Sequence, residues 1–111
     1  MIDIRYEING DYKLSITGHA GEDVKGKDIV CSAVSILFYT LAQTMADAYE
    51  DDYLEEEPEI TYADGEGYIN CKPAAEYEQN VYERWETVLT GFQLMQLNYP
   101  EKISFAELYE G

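Results

Sequence analysis

Residues 2–16 alternate, and that period of two decides how the chain must begin to fold. Ile2, Ile4, Tyr6 and Ile8 fall on one side, with Asp3, Arg5 and Glu7 on the other, the pattern of a strand buried on one face. Asn9-Gly10 follows, a pair that tolerates the positive φ of a tight hairpin turn. Tyr12, Leu14 and Ile16 then alternate with Lys13, Ser15 and Thr17. A hairpin with one apolar face must bury it against another layer.

The rest of the chain supplies that layer. Residues 18–27, GHAGEDVKGK, carry three glycines and a single sizeable apolar group, and read as a mobile loop. Asp28 is a good N-cap for a helix in which Val30, Val34, Leu37, Leu41, Met45 and Ala48 recur at helical spacing. The acidic stretch 47–59, closed by Pro58, reads as a solvated helix end and connection. Ile60 and Tyr62 open a second hairpin, turned by Asp64-Gly65-Glu66-Gly67 into Tyr68-Ile69-Asn70-Cys71. Pro73 suits a helix start. The second helix carries Tyr77, Val81, Trp85, Val88, Phe92, Met95 and Tyr99 on one stripe until Pro100, and Ile103 with Phe105 suggests a short C-terminal edge strand. The expected fold is α+β, a two-layer sandwich in the order ββαββα. Its sheet is mostly antiparallel, with both helices on one face.

At 111 residues the chain supports one domain, 1–111, and a hydrophobic fraction of 46% allows a core without disulfide or metal staples. No apolar run reads as long enough to cross a bilayer, and MIDIRYEING lacks the features of a secretory signal. The expected location is cytoplasmic, where Cys31 and Cys71 stay reduced. Acidic side chains outnumber basic ones 23 to 7, a formal net charge of −16. Such a surface repels nucleic acid and anionic lipid and attracts basic proteins, although solubility alone also explains it.

The residues able to carry chemistry are few. His19 is the only histidine and lies in the glycine-rich loop, off any apolar stripe. Cys31 is the third helical residue if Asp28 is the cap, where the helix dipole favours thiolate over thiol. A thiolate attacks a carbonyl, an imidazole takes or shares its proton, and backbone N–H groups near Cys31 and Ser32 can hold the resulting oxyanion. Ser35 lies one turn beyond on the same helix face. Each has a plainer role as well. A cysteine in an apolar helix packs, Asp28 caps, Ser35 bonds back to its helix, and Cys71 in phase with Ile69 is a buried strand thiol. His19, Cys31 and Cys71 are too irregularly spaced for a zinc site, so no metal and no cofactor is expected.

GHA at 18–20 followed by KDIVCSAVS at 27–35 resembles the paired signature of the bacterial ribosomal-processing cysteine proteases, the Prp family. The resemblance extends to the element order and to Tyr99-Pro100 near the end. It implies a catalytic dyad of His19 and Cys31, with Asp28 and Ser35 in supporting positions. It also implies a substrate: a large-subunit ribosomal protein precursor, which loses a short apolar, aromatic-rich N-terminal extension during ribosome assembly. A homodimer is implied too, with a flexible loop over the site that here contains Gly21 and Gly26 as hinges. Two other classes stay open at this point: a non-catalytic acidic module that shields a basic ribosomal protein, and a thiol-redox protein pairing Cys31 with Cys71.

Overall fold

The computed structural model describes residues 1–19 and 29–108. Strands β1 (Ile2–Asn9) and β2 (Asp11–Thr17) form the first hairpin, with Gly10 in the left-handed region at its tip (φ 70°). Asn9 does not share that conformation. Helix α1 (Ile29–Glu50) follows, then a second hairpin of β3 (Glu59–Ala63) and β4 (Glu66–Cys71), helix α2 (Glu78–Asn98) and β5 (Ile103–Glu107). The five strands lie in the order β3-β4-β2-β1-β5, all antiparallel except β5 on β1. This is the expected α+β architecture, and the tail is a true edge strand.

Alternation puts most of the large apolar strand residues on one face, while Tyr68, in register with Ser15 and Thr61, lies on the other. Ile2, Ile4, Tyr12, Leu14, Ile16, Ile69, Cys71 and Ile103 are buried there, against Val30, Val34, Phe38, Leu41 and Met45 of α1 and Val81, Trp85, Val88, Leu89 and Phe92 of α2. Each such side chain contributes roughly 1.5–3 kcal/mol by leaving water, which holds two helices on one sheet face. The indole of Trp85 is fully buried, packs edge-on against Tyr12 at 5.5 Å between centroids, and donates to the Met45 sulfur at 3.2 Å.

Four expectations need correction. The first 18 residues of α1 contain no charged side chain, and the helix is long and apolar enough to cross a membrane by length and composition. The sequence misleads because the acids that seem to interrupt it begin only at Asp47; seven side chains of the helix are buried in the core of this domain. Phe38, off the expected stripe, is buried, whereas Leu37 is only half-buried. Stretch 47–59 is more than a solvated connection. Leu54 is buried and bridges to Pro73, Glu55 bonds the Lys72 carbonyl oxygen at 2.9 Å, and Tyr53 packs on Tyr77 at 4.6 Å. Pro73 belongs to that zipper rather than to a helix, which starts only after a 3₁₀ turn at Ala75–Tyr77.

Candidate functional site

The site forms where β2 ends, α1 begins and the β3–β4 turn rises between them. After Thr17, Gly18 takes φ 97°, and a Cβ there would collide with the Met1 carbonyl oxygen. Its N–H donates to the Gly65 carbonyl oxygen at 2.9 Å, which ties the chain leaving β2 to the turn. The next residue is His19, exposed at its side chain, with its ring directly over Gly65. Gly65 has φ 79°, and a Cβ on it would lie 2.9 Å from His19 Nε2. The turn thus leaves room for the imidazole only because this residue has no side chain.

Cys31 is the third residue of α1, half-buried, and packed against the edge of the core. At that end of a helix the aligned peptide dipoles favour negative charge. Ser35 follows one turn later, and its Oγ is 3.2 Å from the Tyr62 hydroxyl on β3. Tyr39, another turn on, meets the Tyr62 ring at 4.8 Å between centroids. A hydrogen bond to Tyr62 raises the Tyr39 pKa above the ordinary tyrosine value. His19, Cys31, Ser32, Ser35, Tyr62 and Gly65 all line one cavity of about 750 Å³, which Ile36, Phe38 and Tyr39 make largely apolar. Asp64 and Glu66 supply acidic groups to its wall.

The two residues singled out for chemistry therefore open into the same space, with Ser32 and Ser35 beside them. Asp28, Gly21 and Gly26 lie outside the described residues. Cys71 stands apart. Its thiol is buried 3.6 Å from the Met45 sulfur, and burial pushes its pKa from 9.0 up to about 12. Met45 is fourteen helical residues beyond Cys31, about 21 Å at 1.5 Å per residue. A disulfide needs Cα atoms within about 7 Å, so a Cys31–Cys71 redox pair is ruled out, and so is a metal site that needs both thiols. Tyr62, Gly65 and Tyr39 escaped the sequence reading. Tyr39 had a legible signal, because Cys31, Ser35 and Tyr39 repeat at the four-residue spacing that shares a helix face.

Comparison with known proteins is consistent with this geometry. The family model described as cysteine protease Prp matches residues 1–104. The fold is similar to that of the essential ribosomal processing protease Prp from S. aureus in complex with a covalently linked product peptide. That match has a TM-score of 0.70 and 23% identity, over 97% of this chain and 100% of that one. The same S. aureus protease in complex with a substrate peptide gives 0.63 and 22%, over 97% and 100%. SMU.848 from Streptococcus mutans is 27% identical, with a TM-score of 0.65 over 99% of this chain and 96% of that one. No curated protein matches the chain in sequence.

Proposed function

Because the chain belongs to the cysteine protease Prp family, we propose that it removes an N-terminal extension from a large-subunit ribosomal protein during ribosome assembly, using Cys31 as nucleophile and His19 as base. The observation that carries this is the shared cavity: the only histidine and the half-buried thiol reach it from separate elements. The fully buried thiol, Cys71, does not line it.

The chemistry follows from those groups. The Cys31 thiolate adds to the scissile carbonyl carbon, and the first turn of α1, at Cys31 and Ser32, faces the developing oxyanion with the positive end of its dipole. Protonated His19 gives its proton to the departing amine as the C–N bond breaks, leaving a thioester on Cys31. Neutral His19 then takes a proton from water, the hydroxide adds to the thioester, and the thiolate leaves with the acid product released. Every atom in this sequence comes from protein, peptide or water, so no cofactor is required. The reading places the enzyme in the cytoplasm, where ribosomes assemble, and an acidic surface favours encounter with a basic precursor.

It also includes a homodimer. On α2, Trp85, Leu89 and Phe92 are buried in the protein's own core and are not available to a partner. Leu94 and Leu97, 54% and 64% exposed on one face of α2, support this reading as apolar surface open to a partner. The enzymatic reading is tested by incubating the purified precursor with wild-type protein and with Cys31→Ala, then measuring intact masses. Only wild type should yield a shortened precursor. An acidic shielding module would leave the precursor whole with either protein.

A further inference from the structure

Strand β3 is the last strand on its side of the sheet, and among the described residues nothing pairs with its outer edge. Its pairing with β4 fixes which backbone groups face outward. Asp64-Gly65 is a two-residue turn closed by the pair Ala63–Glu66. Bonded and non-bonded pairs alternate from there along an antiparallel hairpin. Ala63, Thr61 and Glu59 thus direct their N–H and C=O groups to β4, and those of Ile60 and Tyr62 point away from the sheet. Natural proteins usually blunt such an edge with lysine, proline or a bulge. This one has none of these between residues 59 and 63. It runs instead along the wall of the cavity, where Tyr62 is bonded to Ser35 one turn from Cys31.

The surroundings of the strand say what fits it. Glu56, Glu57 and Glu59 are exposed at its start, and Asp64 and Glu66 at its turn. Lys72, which follows β4, is paired with Glu55 at 3.5 Å. We propose that β3 is the docking strand of the enzyme, to which a cationic peptide segment adds as a sixth strand through the backbone of Ile60 and Tyr62. The inference rests on the peptidase reading above and assigns it a mode of binding. Main-chain bonds supply affinity for any extended segment, and the carboxylates at both ends of β3 favour lysine or arginine in it. Docked in this way, a chain passes beside Ser35 and Tyr39 toward the thiol.

Amide exchange tests it. The probe is a synthetic peptide containing the extension and first mature residues of the precursor, added to saturation to the Cys31→Ala protein. Exchange at Ile60 and Tyr62 should slow by about tenfold or more, while Thr61 and Ala63, already bonded to β4, change little. Protection on β5 instead, no protection at Ile60 and Tyr62, or protection there in the free protein from a second copy would each overturn the proposal. In parallel, Glu57→Lys with Glu59→Lys should raise KM for the peptide severalfold at unchanged kcat; an unaltered KM would remove the cationic preference. If wild-type enzyme leaves the peptide uncut, the proposed function fails, and the exchange pattern still decides where the peptide docks.

Discussion

Gly65→Ala isolates the link between backbone geometry and chemistry, because it adds one methyl group beneath the imidazole. At φ 79° a side chain costs about 1–2 kcal/mol of backbone strain, and for a domain of this size about 1 kcal/mol lowers Tm by roughly 4 °C. The new Cβ would lie 2.9 Å from His19 Nε2. Ordinary contact begins near ~3.5 Å, so the ring must move by about 0.6 Å. A displacement of that order in a reacting group costs up to about 100-fold in rate. The expectation is a Tm lower by about 4–8 °C and a kcat lower by roughly 10- to 100-fold. Gly10→Ala is the control. Its φ is 70° with nothing within 4 Å of an added Cβ, at the other end of β2, about 25 Å away. It should lower Tm by the same amount and leave turnover intact. Thermal melts and steady-state cleavage of the precursor peptide decide. Equal kinetics for the two variants would refute the placement of His19 as a working base.

Other outcomes follow from the same structure. Cys71→Ala should cost roughly 1–2 kcal/mol in urea denaturation, as a small core truncation, with turnover unchanged. Because the folded Cys71 thiol titrates at about 12 rather than 9.0, the folded state holds that proton more tightly. Its stabilisation is full below pH 9.0 and is lost as pH rises toward about 12. Wild type should therefore lose stability more steeply than Cys71→Ala across that window, with a residual slope from Tyr12, raised from 10.0 to about 12 by burial. Tyr62→Phe and Ser35→Ala each delete one side of the same bond. Each should slow cleavage by about fivefold, and the double variant by no more than either alone. Light scattering should return about twice 12.7 kDa, and Leu94→Glu with Leu97→Glu should return one protomer; a wild-type mass of 12.7 kDa would contradict the dimer.

Much of this fold was legible because alternation and helical spacing are direct records of burial. Ile2, Ile4, Leu14 and Ile69 are all 0–2% exposed where the period of two places them inward. What escaped was set by contacts distant in sequence. Nothing local in DDYLEEEPE announces that Leu54 will be buried across from Pro73, since that depends on the chain returning 19 residues later. Phe38 likewise joins the core only because the sheet reaches past α1 at β4, whose Gly67 lies under its ring. At the site, the Cys31 and His19 candidates were visible from residue type and helix position. Tyr62 and Gly65 were not, because they reach the cavity through the β3–β4 turn, and no spacing relates them to the loop at 18–20.

The central claim is that Cys31 itself attacks the peptide bond. It is tested most directly by mixing enzyme and precursor, quenching in acid within milliseconds, and measuring the intact mass of the enzyme. The expected result is a transient species heavier than 12.7 kDa by the mass of the acylating extension, mapped to Cys31 by peptide sequencing, absent in Cys31→Ala and formed far more slowly in His19→Ala, which lacks the acid for the departing amine. An adduct on Cys71, or processing of the precursor by Cys31→Ala at the wild-type rate, would contradict it.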